Sequence, residues 1–297
     1  MTRRAPWRML FLLLAVGIFE TPAVAHPGSA IAVASDGRVF FVDTGGGVFS
    51  IERDGRMVRR EGPAFHWFAL DPAGLFRRTP WPSIPGAEFR SAGADPAVVL
   101  SSDFPVAIGS DGIFYYAERA GDGRKRIVGI DPAGKRSVRA LLPRGEPELW
   151  INGLAAGPDG SLVYTENATV RRIDRSGRVS TLASRIEVPR CARIPFDEVD
   201  EVRPYLRGVA VETDGTVYVA AAACGAVLKV GRDGAASVVL RSSPPWSPTA
   251  VAVRSGEVYV LEYLHTPGDD RRQWLPRVRK IGRDGRVTAL GGTTRRP

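Results

Sequence analysis

Residues 151–183 read INGLAAGPDGSLVYTENATVRRIDRSGRVSTLA. Apolar residues alternate with small or polar ones in short runs, and each run ends in a turn: Asp159-Gly160, then Glu166-Asn167, then Ser176-Gly177. Alternation with a period of two marks a strand with one buried face, and Asp-Gly supplies the positive φ that a tight hairpin requires. The stretch therefore predicts four short antiparallel strands. Such a sheet has two faces to bury and cannot stand alone.

The same pattern recurs along the chain. Copies run over 31–58 (IAVASDGRVFFVDTGGGVFSIERDGRMV), 106–142, 208–240 and 250–290, and a degraded one begins at HWFALDPAGLF, residues 66–76. The second half of that last copy, PWPSIPGAEFR at 80–90, is rich in proline. Repeated sheets bury one another when arranged radially, and a period of about 45 residues suits a propeller. The expectation is an all-β, six-bladed β-propeller of four-stranded antiparallel blades over residues 26–297.

The first 25 residues stand apart. Arg3, Arg4 and Arg8 precede an apolar run from Met9 to Phe19, and Ala23-Val24-Ala25 follows. That order predicts a secretory signal peptide, its apolar run being too short to span a bilayer. A secreted or periplasmic protein with no stable membrane span after cleavage is expected. The two cysteines, Cys191 and Cys224, fit one disulfide in such a compartment. Both fall on connections that propeller topology brings to one face.

The chain carries 41 Lys and Arg against 32 Asp and Glu. The arginines are scattered through turns and strands rather than gathered with aromatics, which argues against nucleic acid as a partner and fits solvated surface arginines, with a net positive field that attracts acidic envelope polymers or small anions. Sequence motifs of serine hydrolases, zinc proteases, nucleotide binders and dithiol redox proteins (G-x-S-x-G, H-E-x-x-H, Walker A, G-x-G-x-x-G, C-x-x-C) are absent.

The repeat, with its turn Asp-Gly, a V-Y-V run, an acid and an R-I pair opening the third strand, resembles the NHL repeat. NGLAAGPDGSLVYTEN, residues 152–167, also resembles the Asn-bearing strand of the SMP-30/gluconolactonase/LRE-like propellers. The resemblance implies a lactonase or esterase acting on small organic or sugar-derived substrates, with calcium held at the channel mouth by a Glu, an Asn and an Asp.

Counting eight residues back from each turn glycine locates the mouth positions: Ser29, His66, Phe104, Asn152, Arg207 and Pro248. Only Asn152 matches the implied metal set. Arg207 stands where the family has Asp, so the calcium ligand set is incomplete. Asn152 suits either a ligand or neighbouring backbone, His66 either a ligand or a satisfied core site, and Arg207 either an anion or a salt bridge to the 197–201 acids. Six residues after the turn glycines come Asp43, Glu118, Glu166 and Glu262. These acids are expected to hold the arginine opening the third strand, such as Arg126 or Arg171. Glu262 differs because it leads into the insertion YLHTPGDDRRQWLP, which brings His265 over the mouth. The expected function is binding of a small polar or anionic molecule by Arg207, Asn152 and His66 under that insertion. A hydrolase with His66 or Glu262 as base is the alternative.

Overall fold

Each turn predicted by Asp-Gly is made the same way. At the turn after Ala156, Gly160 takes φ +72°, a conformation other residues seldom adopt, and the Asp159 carboxylate accepts the Ser161 amide at 3.1 Å. The computed structural model describes residues 30–43, 47–61, 68–70, 76–78, 98–100, 105–143, 151–191, 204–264 and 275–292. Residues 1–25, where a signal peptide is expected, His66 and His265 lie outside them.

Blade one comprises β1 (Ile31–Val33), β2 (Val39–Asp43), β3 (Gly47–Ile51) and β4 (Met57–Glu61). A three-stranded sheet follows: β5 (Phe68–Leu70), β6 (Phe76–Arg78) and β7 (Val98–Leu100). Blade two has β8 (Val106–Ile108), β9 (Phe114–Arg119), β10 (Lys125–Ile130) and β11 (Arg136–Leu141). Blade three has β12 (Gly153–Ala156), β13 (Leu162–Glu166), β14 (Thr169–Ile173) and β15 (Val179–Ala183). Blade four has β16 (Leu206–Val211), β17 (Val217–Ala221), β18 (Ala226–Val230) and β19 (Ala236–Arg241). Blade five has β20 (Trp246–Arg254), β21 (Glu257–Leu264), β22 (Pro276–Ile281) and β23 (Val287–Gly292). Every blade is an antiparallel meander in sequence order.

The described residues thus form five four-stranded blades, which corrects the expected six. The degraded copy gives only the three-stranded sheet, in the order β6-β5-β7 with β5 central. Pro80, Pro82 and Pro85 follow β6 in the sequence, and proline cannot donate to a strand ladder. Strand β7 nonetheless touches both β1 and β8, while β8 touches β12, β12 touches β16, β16 touches β20, and β20 touches β1. A ring of inner strands results, and the propeller architecture stands.

Packing between blades follows from the alternation. Val163 and Val170 of blade three join Val209, Val217, Val219 and Leu228 of blade four in one apolar cluster. Ile31, Phe41 and Phe49 of blade one join Leu261, Tyr263 and Val278 of blade five in another. Burying such a side chain contributes about 1.5–3 kcal/mol. Among the described residues no helix is long and apolar enough to cross a membrane. Cys191 and Cys224 are joined in a disulfide, with Cα atoms 4.4 Å apart. The disulfide and the lack of a spanning helix are compatible with an extracellular protein.

Candidate functional site

The inner strands start at one end of the ring, and the glycine turns that follow them lie at the other. At the starting end, Asn152 precedes β12. Its amide nitrogen donates to the Thr165 carbonyl at 3.0 Å, and its side-chain Nδ2 donates to the Leu206 carbonyl of the next blade at 2.9 Å. Thr165 Oγ1 donates to the Arg207 carbonyl at 2.8 Å. The Asn-Gly pair is explained by the same approach: a Cβ on Gly153 would lie 2.4 Å from the Arg207 oxygen, so only glycine admits β16 this close. On its other side, Gly208 brings β16 against β20, where a Cβ would lie 2.6 Å from Ala250 Cα. Arg207, half-buried, therefore starts a strand pinned from both neighbouring blades.

Two of the acids six residues past the turn glycines hold the arginine near the start of the third strand. Arg126 Nε meets Glu118 at 2.6 Å, and Arg136 reaches the other oxygen of Glu118. Arg171 Nε meets Glu166 at 2.8 Å. Asp43 is buried at the end of β2.

Glu262 goes further. It is fully buried and accepts from Arg277 Nε at 2.6 Å, from Arg279 Nε at 2.6 Å, from Arg279 Nη2 and from the Ser242 hydroxyl. The Arg277 guanidinium lies over the Trp246 ring, 3.8 Å from its centroid. With both oxygens so engaged, Glu262 serves as counter-ion to two arginines, a different arrangement from that of a base waiting for a substrate proton. Arg277 and Arg279 escaped the sequence reading. Their spacing of two on a strand puts both on one face, and that was the signal available.

At this end Glu118, Glu166 and Glu262 are each matched by one or two guanidiniums. Burial lowers the Lys125 pKa, Arg119 lowers it further, and Glu166 opposes the change. Burial also pushes the Tyr164 hydroxyl pKa well up. Its oxygen finds no hydrogen-bond partner among the described residues.

A resident calcium does not fit what is described here. Asn152 offers its Oδ1 as a single neutral oxygen, arginine stands at position 207 where an acid would be needed, and no group of three or more His, Cys, Asp or Glu suited to a metal occurs among the described residues. The structure brings Asn152 and Arg207 together on adjacent blades and sets Glu262 in its own arginine cage. His66 and His265 fall outside the described residues.

No family model matches the chain, the NHL repeat included, and no curated protein matches it. Solved structures do. A streptogramin B lyase is 17% identical with a TM-score of 0.51, over 91% of this chain and 85% of its own. A luciferin-regenerating enzyme is 15% identical with a TM-score of 0.53, over 82% of this chain and 86% of its own. A puromycin hydrolase is 13% identical with a TM-score of 0.52, over 93% of this chain and 55% of its own. At these identities the likeness shows the fold, a β-propeller shared with lyase and hydrolase enzymes.

Proposed function

We propose that the protein is an exported β-propeller that binds a small polar anion at the mouth of its channel. Arg207 is the charged contact, Asn152 sets the strand that carries it, and His66 and His265 complete the site. Export rests on the leader pattern of residues 1–25 together with the disulfide. One observation carries the reading: Arg207 lies at the start of a strand held on both sides by Asn152, Thr165, Gly153 and Gly208. A strand fixed on both sides carries its side chain from a defined backbone position, and the charge-assisted hydrogen bonds of a guanidinium are the strong ones.

A second reading makes the protein a hydrolase or lyase of small organic molecules. Its support is the activity named for the solved structures of the same fold, a streptogramin B lyase and a puromycin hydrolase. Fold alone does not carry activity.

Both readings are tested together. Phosphate, citrate and a set of sugar lactones and esters are titrated into the protein and assayed for turnover, with and without chelator. Arg207→Ala should weaken anion binding about tenfold or more, while Arg178→Ala, whose side chain is 83% exposed near the turn end, should not. Binding per folded molecule unchanged in Arg207→Ala, with a lowered melting temperature, makes Arg207 structural and ends the proposal. Turnover lost with Arg207→Ala favours the enzyme.

A further inference from the structure

One departure from the repeat opens a cleft at the opposite end of the ring. Three residues past the turn glycine, four blades carry an aromatic ring: Phe40, Tyr115, Tyr218 and Tyr259 follow Gly37, Gly112, Gly215 and Gly256. In blade three the residue after Gly160 at that spacing is Val163. The register is the same throughout, because each of these residues pairs with an alanine of its inner strand: Ala32, Ala107, Ala155, Ala210 and Ala252. In three blades the ring packs against the next blade. Tyr115 joins Leu154 and Leu162 of the next blade, Tyr218 joins Val251 and Val258, and Tyr259 joins Ile31 and Phe41. In blade three two small side chains, Ala155 and Val163, stand side by side instead.

The space left is a cleft of about 220 Å³ between blades three and four. An apolar cavity of about 150 Å³ is enough to take up benzene. Val163, Leu182, Val211 and Val217 line it, and its polar edge includes Asp159, Arg172 and Arg232. Asp159 is already engaged, accepting from the Ser161 hydroxyl at 2.6 Å and from Arg172. Arg232 lies along the turn glycine of blade four, where a Cβ on Gly215 would come within 3.0 Å of its Nε. Arg172 and Arg232 thus stand at the edge of an apolar, ring-sized floor, Arg172 beside Asp159 and Arg232 within electrostatic reach of Asp214 in its own turn.

We infer that this cleft binds a small aromatic carboxylate, with its ring seated where the other blades seat their own and its carboxylate on Arg232 and Arg172. The site lies at the turn end and is independent of the channel mouth.

Benzoate titrated into the full protein, followed by calorimetry and by shifts of the Val163 and Leu182 methyl resonances, is the test. Wild type should take it up saturably. Val163→Tyr supplies the residue most blades carry, so it should keep the circular dichroism of wild type and abolish uptake. Arg232→Ala, an exposed rim residue, should weaken uptake about tenfold or more and reads the same site if Val163→Tyr does not fold. Hexanoate, which has the carboxylate without the ring, should bind more weakly than benzoate. No saturable uptake by wild type, uptake unchanged in Val163→Tyr, or hexanoate equal to benzoate would overturn the inference. So would loss of binding in Arg207→Ala with Arg232→Ala unaffected, which would move the ligand to the mouth.

Discussion

The hydroxyl of Tyr263, in the last blade, donates to the backbone carbonyl of Val42, in the first, across 2.8 Å and 221 residues of sequence. Blades one and five are each complete from contiguous chain, so no strand is exchanged to close the ring. Closure rests on side chains: this bond, the cluster shared by Ile31, Phe41 and Tyr263, and Arg254, which donates to the Val33 and Ser35 carbonyls at 3.4 Å.

Tyr263→Phe should therefore destabilise by about 1 kcal/mol, the net worth of one hydrogen bond, or more because the oxygen left behind is buried. Urea denaturation checks it. The mouth should keep its ligand affinity, since Tyr263 touches blade one rather than β16.

Glu262→Gln leaves Arg277 and Arg279, whose side chains are 25% and 17% exposed, facing a neutral amide. Removing one partner of a buried ion pair costs about 3–5 kcal/mol. We expect a loss at the upper part of what a single substitution does, measured by thermal and denaturant unfolding, with little relief from added salt because the pair is screened from solvent.

Arg171→Ala should lower stability in the same direction, by less. Glu166 is 7% exposed and loses its 2.8 Å ion partner, although Arg171 itself is partly solvated. Anion binding at Arg207 should be unchanged, which distinguishes this arginine from a ligand contact.

Reduction of the Cys191–Cys224 disulfide, or Cys224→Ser, should destabilise by about 3–4 kcal/mol, the chain-entropy value for a loop of 33 residues' separation. A melting curve with and without reductant gives the answer. Two thiols titrating in the unreduced, denatured protein would contradict the bridge.

Acid should weaken the turn end first. The Ser161 hydroxyl holds the Asp159 carboxyl below its ordinary 3.8, the Ser176 hydroxyl does so for Asp174, and the Thr216 amide for Asp214. Lys280 likewise holds Glu257 below its ordinary 4.5. Folded-state values below unfolded ones mean stability that is present in full above the unfolded values and lost as pH falls through the folded ones. Stability should be flat on the acid side down to roughly pH 5 and then decline, and Asp159→Asn should flatten that decline in a pH series of unfolding midpoints.

What sequence alone determined here is local and periodic. Alternation in Leu162–Glu166, turn chemistry at Asp159-Gly160 and the spacing to Glu166 and Arg171 are set by neighbours within one blade, so strands, turns and acid–arginine pairs could be read directly. Blade number could not, because the stretch from Phe68 to Leu100 departs from the repeat and pairs β7 with β5 rather than with β6. Nor could the partners of Asn152, since a donor at a strand start is satisfied by whichever carbonyl the adjacent blade presents, here Leu206. Glu262 shows the same division: its place in the repeat was legible, but its burial beneath Arg277, Arg279 and Ser242 depends on how blades four and five dock. Contacts between blades are made by residues far apart in the chain, and only their packing against one another, with water excluded between them, decides which polar groups meet.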